Sequence, residues 1–245
     1  MRSRVRPLGG ERCRQLGLIA WLIGSATAIT AAGAQAADAS HPVVVELFQS
    51  QGCSSCPPAN AGVNVLSQRA DVLALSFAVT YWDRLGWKDT FAKGQFTDRQ
   101  WRCARAMHQD NVYAPQAVVN GRVEGVGADR VEREGLMSRA DRAATGPAAK
   151  ISGGSVEIGA GTAPAQTSDV WLVRYDPRTL AVPVLRGENA GKTLPHRNIV
   201  HEMVRLGDWN GHAERFGLPA DSSGLGTAIL VQIYGAGPIL AAAKG

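Results

Sequence analysis

Cys53 and Cys56 stand three apart in the stretch VVVELFQSQGCSSCPPANAGV. A pair at this spacing supports three chemistries. It can exchange its disulfide with another thiol, the first cysteine attacking and the second resolving the mixed disulfide. It can close a local disulfide that only staples the chain. It can also supply half of a metal site, but zinc wants four ligands. There is no second CxxC, and outside the leader described below Cys103 is the one other thiol. We therefore expect no metal and no organic cofactor, and the redox and staple readings remain open at this point.

Which of the two applies depends on the elements that carry the pair. "VVVELF" is an apolar run of the kind that forms a buried strand. A short polar linker follows, then the cysteines, then Pro57 and Pro58, which suit the first turn of a helix because their missing N–H groups cost little there. In "PANAGVNVLSQRA", Ala61, Val65 and Leu66 have helical spacing. A helix N-terminus offers free N–H groups and a partial positive charge, which favour thiolate over thiol. "DVLALSFAVTYW" reads as a second buried strand. "FTDRQWRCARAMHQ" reads as a helix, with Thr97 and Gln100 at the spacing of a capping box and Phe96, Gln100, Cys103 and Met107 on one face. "QAVVNGRVEGVG" reads as a hairpin turning at Asn120-Gly121, and "DRVEREGLMSRADRAA" as a final amphipathic helix. The order β-α-β-α-β-β-α is that of a thioredoxin-like fold, and it places the CxxC where such folds carry their site. From Lys150 onward the runs are strand-like and punctuated by Gly, Pro, Asn and Asp. We expect a thioredoxin-like domain over 41–145 and an antiparallel β-rich domain or extension over 150–245.

Other residues take roles from this frame. Pro115 leads the third strand, where a thioredoxin-like fold places a cis-proline, so Tyr113 and Ala114 become candidate substrate-binding residues. Trp82 and Trp87 sit in "YWDRLGWKD", a loop that could wall the site; the alternative is a lid packed on the core. Glu46 interrupts the first strand seven residues before Cys53. It is either a carboxylate that relays the proton of Cys56 or an acid satisfied by a neighbour. Asp83 and Asp89 are placed too weakly to be assigned. His196 and His201, five apart, point away from each other on a strand or a helix and read as surface or turn residues. Cys103 shares an apolar stripe and reads as a buried, inert thiol.

The N-terminus begins with Arg2, Arg4, Arg6, Arg12 and Arg14, continues with a nearly uncharged run from Leu16 to Ala32, and reaches Ala34-Gln35-Ala36, a small-x-small site. Residues 1–36 therefore read as a signal peptide, an uncleaved anchor being the alternative. The whole chain carries 26 basic and 21 acidic residues. Without the leader about 209 residues remain, with 21 basic against 20 acidic. That near-neutral balance gives no argument for a nucleic-acid partner. No other apolar run is long enough to span a bilayer. A periplasmic or secreted protein is expected, in a compartment that permits disulfides.

The stretches VVVELFQSQGCSSCPPA, YWDRLGWKDTFA, VYAPQAVVNGR, DVWLVRYDP and RGENAGKTLPHRNIV together resemble a secreted bacterial family catalogued as domain of unknown function 1223, over essentially the whole chain after the leader. The resemblance implies a thioredoxin-like N-terminal part, a β-rich C-terminal part and no established activity. This chain departs from that pattern. Ala78 and Thr80 stand where the family commonly carries His and Asp, Ala114 where Thr precedes the proline, and Cys103 where an aromatic residue is common. If the His and Asp assist chemistry elsewhere in the family, this member is altered there.

Two functions fit these residues. The first is a thiol–disulfide oxidoreductase acting on protein or small-molecule thiols, with Cys53 as nucleophile, Cys56 as resolving thiol and Pro115 shaping the groove. No Lys or Arg lies between Glu46 and Arg69, so we expect Cys53 to be only modestly acidified and the pair to be a weak oxidant. The second is a binding protein without enzymatic activity, in which Cys53–Cys56 is a static clasp.

Overall fold

The computed structural model describes residues 37–142, 144–221 and 223–245. The predicted signal peptide, residues 1–36, lies outside the described residues. The N-terminal elements are β1 (Val43–Gln49), α1 (Cys56–Leu66), β2 (Val72–Ala78), α2 (Gly94–Ala106), β3 (Gln116–Val119), β4 (Val123–Gly125) and α3 (Arg130–Arg139). The rest is β5 (Ala149–Ser152), β6 (Ser155–Ile158), β7 (Ser168–Asp176), β8 (Leu180–Pro183), β9 (Thr193–His196), β10 (Ile199–Trp209), β11 (Glu214–Gly217), β12 (Gly226–Ile233) and β13 (Ile239–Lys244). None of the helices among the described residues is long and apolar enough to cross a membrane.

One mixed sheet of eight strands organises the molecule, in the order β13-β12-β7-β10-β2-β1-β3-β4. β1 runs parallel to β2, from Val43 opposite Val72 to Gln49 opposite Ala78. β3 pairs antiparallel with the other side of β1, and β4 with β3. The C-terminal strands extend the same sheet. β10 joins β2 in parallel at Ile199 and Ser76. Asn198 fastens the junction: its carbonyl accepts the Ser76 N–H at 2.9 Å, and its Nδ2 donates to the Ala74 carbonyl at 2.7 Å. β11-β6-β5 and β8-β9 form two smaller antiparallel sheets.

Every residue of β1 and β2 is buried, because helices cover both faces and continuous apolar runs suit that environment. Alternate side chains take opposite faces. Val43, Val45 and Leu47 pack with Ala59, Val63 and Leu66 of α1 and Leu136 of α3. Val44 and Phe48 face α2 with Phe77, Phe96 and Cys103, and that cluster continues into Val173, Val200 and Leu230. Phe48 stacks on Phe77 at 5.4 Å between centroids, and Phe96 meets Phe77 edge-on at the same distance.

Two local expectations need correction. The face α1 buries is Ala59, Val63 and Leu66, whereas Val65 is exposed. The predicted capping box is absent: α2 begins at Gly94, so Thr97 lies inside it. Its hydroxyl instead accepts the N–H of Thr80 at 3.0 Å, and Gln100 donates to the Tyr113 carbonyl at 2.7 Å and to Gln116 Oε1 at 2.8 Å. Partners distant in sequence have taken both side chains.

Candidate functional site

α1 starts at Cys56, with Pro57 and Pro58 in its first turn. Its N-cap Ser55 makes no side-chain cap, and no acid lies in the first turn. Cys53 precedes the helix in a tight turn. Its N–H donates to the Ser50 carbonyl, and its own carbonyl accepts from the Cys56 N–H, each at 3.2 Å. The two cysteines form a disulfide with their Cα atoms 5.4 Å apart. Both are fully buried, whereas Ser54 and Ser55 between them are exposed.

The strand-leading proline faces this pair. The Ala114–Pro115 bond is cis, and the Ala114 carbonyl oxygen lies 3.5 Å from Cys53 Sγ. A disulfide sulfur carries no proton, so this contact becomes a hydrogen bond only when Cys53 is a thiol. Gln100 holds the Tyr113 carbonyl, and the Tyr113 hydroxyl donates to Glu124. Burial and the Glu124 carboxylate both push the Tyr113 pKa up. Beside Ala114 opens a cavity of about 330 Å³, lined by Tyr81, Trp82, Leu85, Val112 and Tyr113, with Arg84 at its wall. Trp82 also lies against Gly52, next to Cys53. Trp82 and Tyr113 therefore line one groove at the pair. Trp87 does not; its Nε1–H donates to Gln51 Oε1 at 2.9 Å and supports the loop from behind.

A buried polar frame fixes that loop. Asp89, left unassigned by the sequence, accepts the Gln51 N–H at 2.6 Å and the Phe91 N–H at 2.9 Å. Burial raises its pKa above the ordinary carboxylate value, against these hydrogen bonds. Asn189, in the loop between β8 and β9, is fully buried. Its Nδ2 donates to the Gln51 carbonyl at 2.9 Å and to the Cys53 carbonyl at 2.8 Å. Next to it, Glu188 Oε2 accepts the Ser54 N–H at 3.0 Å. Hydrogen bonding from Ser54 holds the Glu188 carboxyl below its usual range, so an anion occupies the free amide beside Cys53. Glu188 and Asn189 lie in the stretch RGENAGKTLPHRNIV, but nothing local in it says which loop those polar side chains will reach.

Glu46 lies on the other face of β1 from α1. Its Oε1 accepts from Arg99 Nε on α2 at 2.6 Å, both side chains being essentially inaccessible. Arg99 also donates to Gln232 Oε1 at 3.1 Å. The fold thus joins Glu46 to Arg99 and Cys103 rather than to the disulfide. Cys103 is a free, buried thiol, its pKa pushed up to about 12 by burial and then by the negative Glu46. The histidine reading is corrected: His196 is buried, and it meets the Phe91 ring edge-on at 6.1 Å while His201 meets the same ring at 6.0 Å. The chain bends at Asn198, which has φ 51°, so the strand geometry that would separate the two does not apply. Burial lowers the His196 pKa to about 4. Among the described residues no group of three His, Cys, Asp or Glu could hold a metal ion.

The molecule is thus a mixed α/β protein built on one large mixed sheet, with a disulfide at the N-terminus of its first helix. It belongs to the family described as protein of unknown function (DUF1223), whose model matches residues 44–232. It is similar to the crystal structure of protein AGR_C_4864 from Agrobacterium tumefaciens, with 33% sequence identity and a TM-score of 0.69, over 86% of this chain and 95% of that one. No curated protein matches it.

Proposed function

We propose that this protein is a thiol–disulfide oxidoreductase of thioredoxin-like architecture, working in the periplasm or outside the cell on protein or small-molecule thiols. The observation that carries the reading is the Cys53–Cys56 disulfide at the start of α1, opposed by the backbone of Ala114 and Pro115. The β-α-β-α-β-β-α order of β1 to α3, with β1 parallel to β2 and the β3–β4 hairpin antiparallel beside β1, supports the fold assignment.

In the reducing direction the Cys53 thiolate attacks a partner disulfide. One partner sulfur leaves as thiolate and the other stays bound to Cys53. The Cys56 thiolate then attacks Cys53 Sγ, closing the internal disulfide and releasing the second partner thiolate. Two electrons pass to the partner; the oxidising direction is the reverse. The cavity beside Ala114, with Trp82 and Tyr113 in its wall, accepts an apolar side chain next to the reacting cysteine. At the backbone of the pair the charged contact is Glu188, an anion, which disfavours a second negative charge on Cys53. The pair is accordingly a weak oxidant.

The competing reading, a static clasp in a binding protein, draws on the complete burial of both cysteines. Trapping separates the two. Cys56→Ser leaves Cys53 unable to resolve a mixed disulfide, so partners are expected to accumulate covalently and to be released by reductant. An empty trap with Cys53 shown to be a free thiol would sink the oxidoreductase reading.

A further inference from the structure

Both cysteines and the Ser50 and Gln51 side chains before them are fully buried, yet the two residues between the cysteines are not. Ser54 and Ser55 are exposed, and so are Leu185 to Glu188 and Ala190 to Lys192 in the loop that bonds to the backbone of Gln51, Cys53 and Ser54. That loop is the tip of the β8–β9 hairpin, and it is internally braced. The Val184 N–H donates to the Lys192 carbonyl at 2.9 Å, Gly191 N–H to Val184 at 2.8 Å, Ala190 N–H to Gly187 at 3.1 Å and Lys192 N–H to Asn189 at 3.0 Å. Two adjacent side chains bond the tip to the cysteine loop. Asn189 donates to the Gln51 and Cys53 carbonyls, and Glu188 accepts from Ser54. Lys192 Nζ donates to Asn189 Oδ1 at 3.0 Å, which aims the amide nitrogen at those carbonyls.

We infer that the β8–β9 tip is an access gate over the disulfide, and that Asn189 is the residue that holds it shut and so selects which thiols reach Cys53. The tip is braced within itself, lies close to Leu85 and Trp87 at Gly187, and is bonded to the cysteine loop by the buried Asn189 and the exposed Glu188, so it moves as a body when the Asn189 anchor lets go. An attacking sulfur must approach in line with the S–S bond, and a protein thiol brings its own backbone with it. A small dithiol slips past a partly displaced tip; a protein thiol needs the tip moved away. The gate therefore discriminates by bulk. This rests on the reading of the pair as exchangeable, but its test reads access alone.

The test compares rates of reduction of the oxidised protein by dithiothreitol and by a small reduced dithiol protein, scored by alkylation of the released thiols. In each case the reductant gives up two electrons and closes its own disulfide. Asn189→Ala removes the buried anchor. Glu188→Ala removes the exposed one and keeps the test available if the first variant does not fold. Both are expected to speed reduction by the protein dithiol tenfold or more and reduction by dithiothreitol only two- to threefold. Equal acceleration by both reductants, with a lowered melting temperature, would make Asn189 a packing residue and overturn the gate. Unchanged rates in a folded variant would overturn it too. Selective acceleration together with an empty Cys56→Ser trap would leave the gate standing and remove the oxidoreductase function.

Discussion

Glu46 and Arg99 place opposite charges in the middle of the core, where side-chain exposures are 0% and 1%. Taking one partner away leaves the other buried and uncompensated, and such losses cost about 3–5 kcal/mol; replacing both with apolar residues of similar size is often neutral or stabilising. Arg99→Met is therefore expected to lower unfolding free energy by about 3–5 kcal/mol in urea titrations, whereas the double variant Glu46→Leu/Arg99→Met recovers most of that. A single variant within about 1 kcal/mol of wild type would show that the pair is not a stabilising unit. The sequence announced the anomaly, since a lone acid interrupts an apolar strand. It also held a weaker sign of the partner: Arg99 follows Phe96 by three and precedes Cys103 by four, so it sits on the same stripe of the helix. The buried thiol of Cys103 adds no reactivity to this cluster, because burial and the Glu46 carboxylate oppose its ionisation.

At the scale of elements, the β3–β4 hairpin shows how a local signal acquires a distant role. Asn120 and Gly121 turn with φ 49° and 61°, as an Asn-Gly pair is suited to do. The same turn docks on the C-terminal strands. The Ile239 N–H donates to the Asn120 carbonyl at 2.9 Å and a Cβ on Gly121 would collide with the Gly237 carbonyl, while Asn120 Oδ1 ties the turn to β1 by accepting the Val44 N–H at 2.8 Å. Gly121→Ala is expected to cost at least about 2 kcal/mol, combining strained backbone with a clash against main chain that has no room to yield. Gly86→Ala is the control: φ is 95° but nothing lies within 4 Å, so only the strain term of about 1 kcal/mol applies. Equal destabilisation of the two variants, measured by thermal melts, would remove the docking role.

For the whole molecule, stability has a pH dependence set by buried ionisable groups. His196 has a pKa near 4 in the folded chain against an ordinary 6.5. Between those values the unfolded chain binds a proton that the folded chain does not, so stability is full above 6.5 and falls as pH drops through the window. The expected loss from this group is about 1.5 kcal/mol between pH 6.5 and pH 5. His201, lowered by burial, adds in the same direction, and Asp89, raised by burial, acts with the opposite sign. The comparison with His196→Gln isolates one group: that variant's urea midpoint is expected to fall less between pH 6.5 and pH 5. Parallel curves for the two proteins would mean that His196 is protonated in the folded state.

What the sequence determined by itself was local. Continuous apolar runs marked β1 and β2 because both faces of those strands are covered. The paired prolines after Cys56 marked a helix start, and Asn120-Gly121 marked a turn, because each constraint acts within a few residues. The pair that defines the candidate site was visible for the same reason. Tertiary structure decided the rest. It chose Arg99 for Glu46 across 53 residues and gave the Thr97 hydroxyl to Thr80 instead of to a cap. It brought His196 and His201 to one ring and laid Glu188 and Asn189 over a cysteine loop more than 130 residues upstream. Hydrogen bonds and ion pairs are short in space and indifferent to distance along the chain. A side chain's type shows that it needs a partner; only the folded chain shows which one it meets.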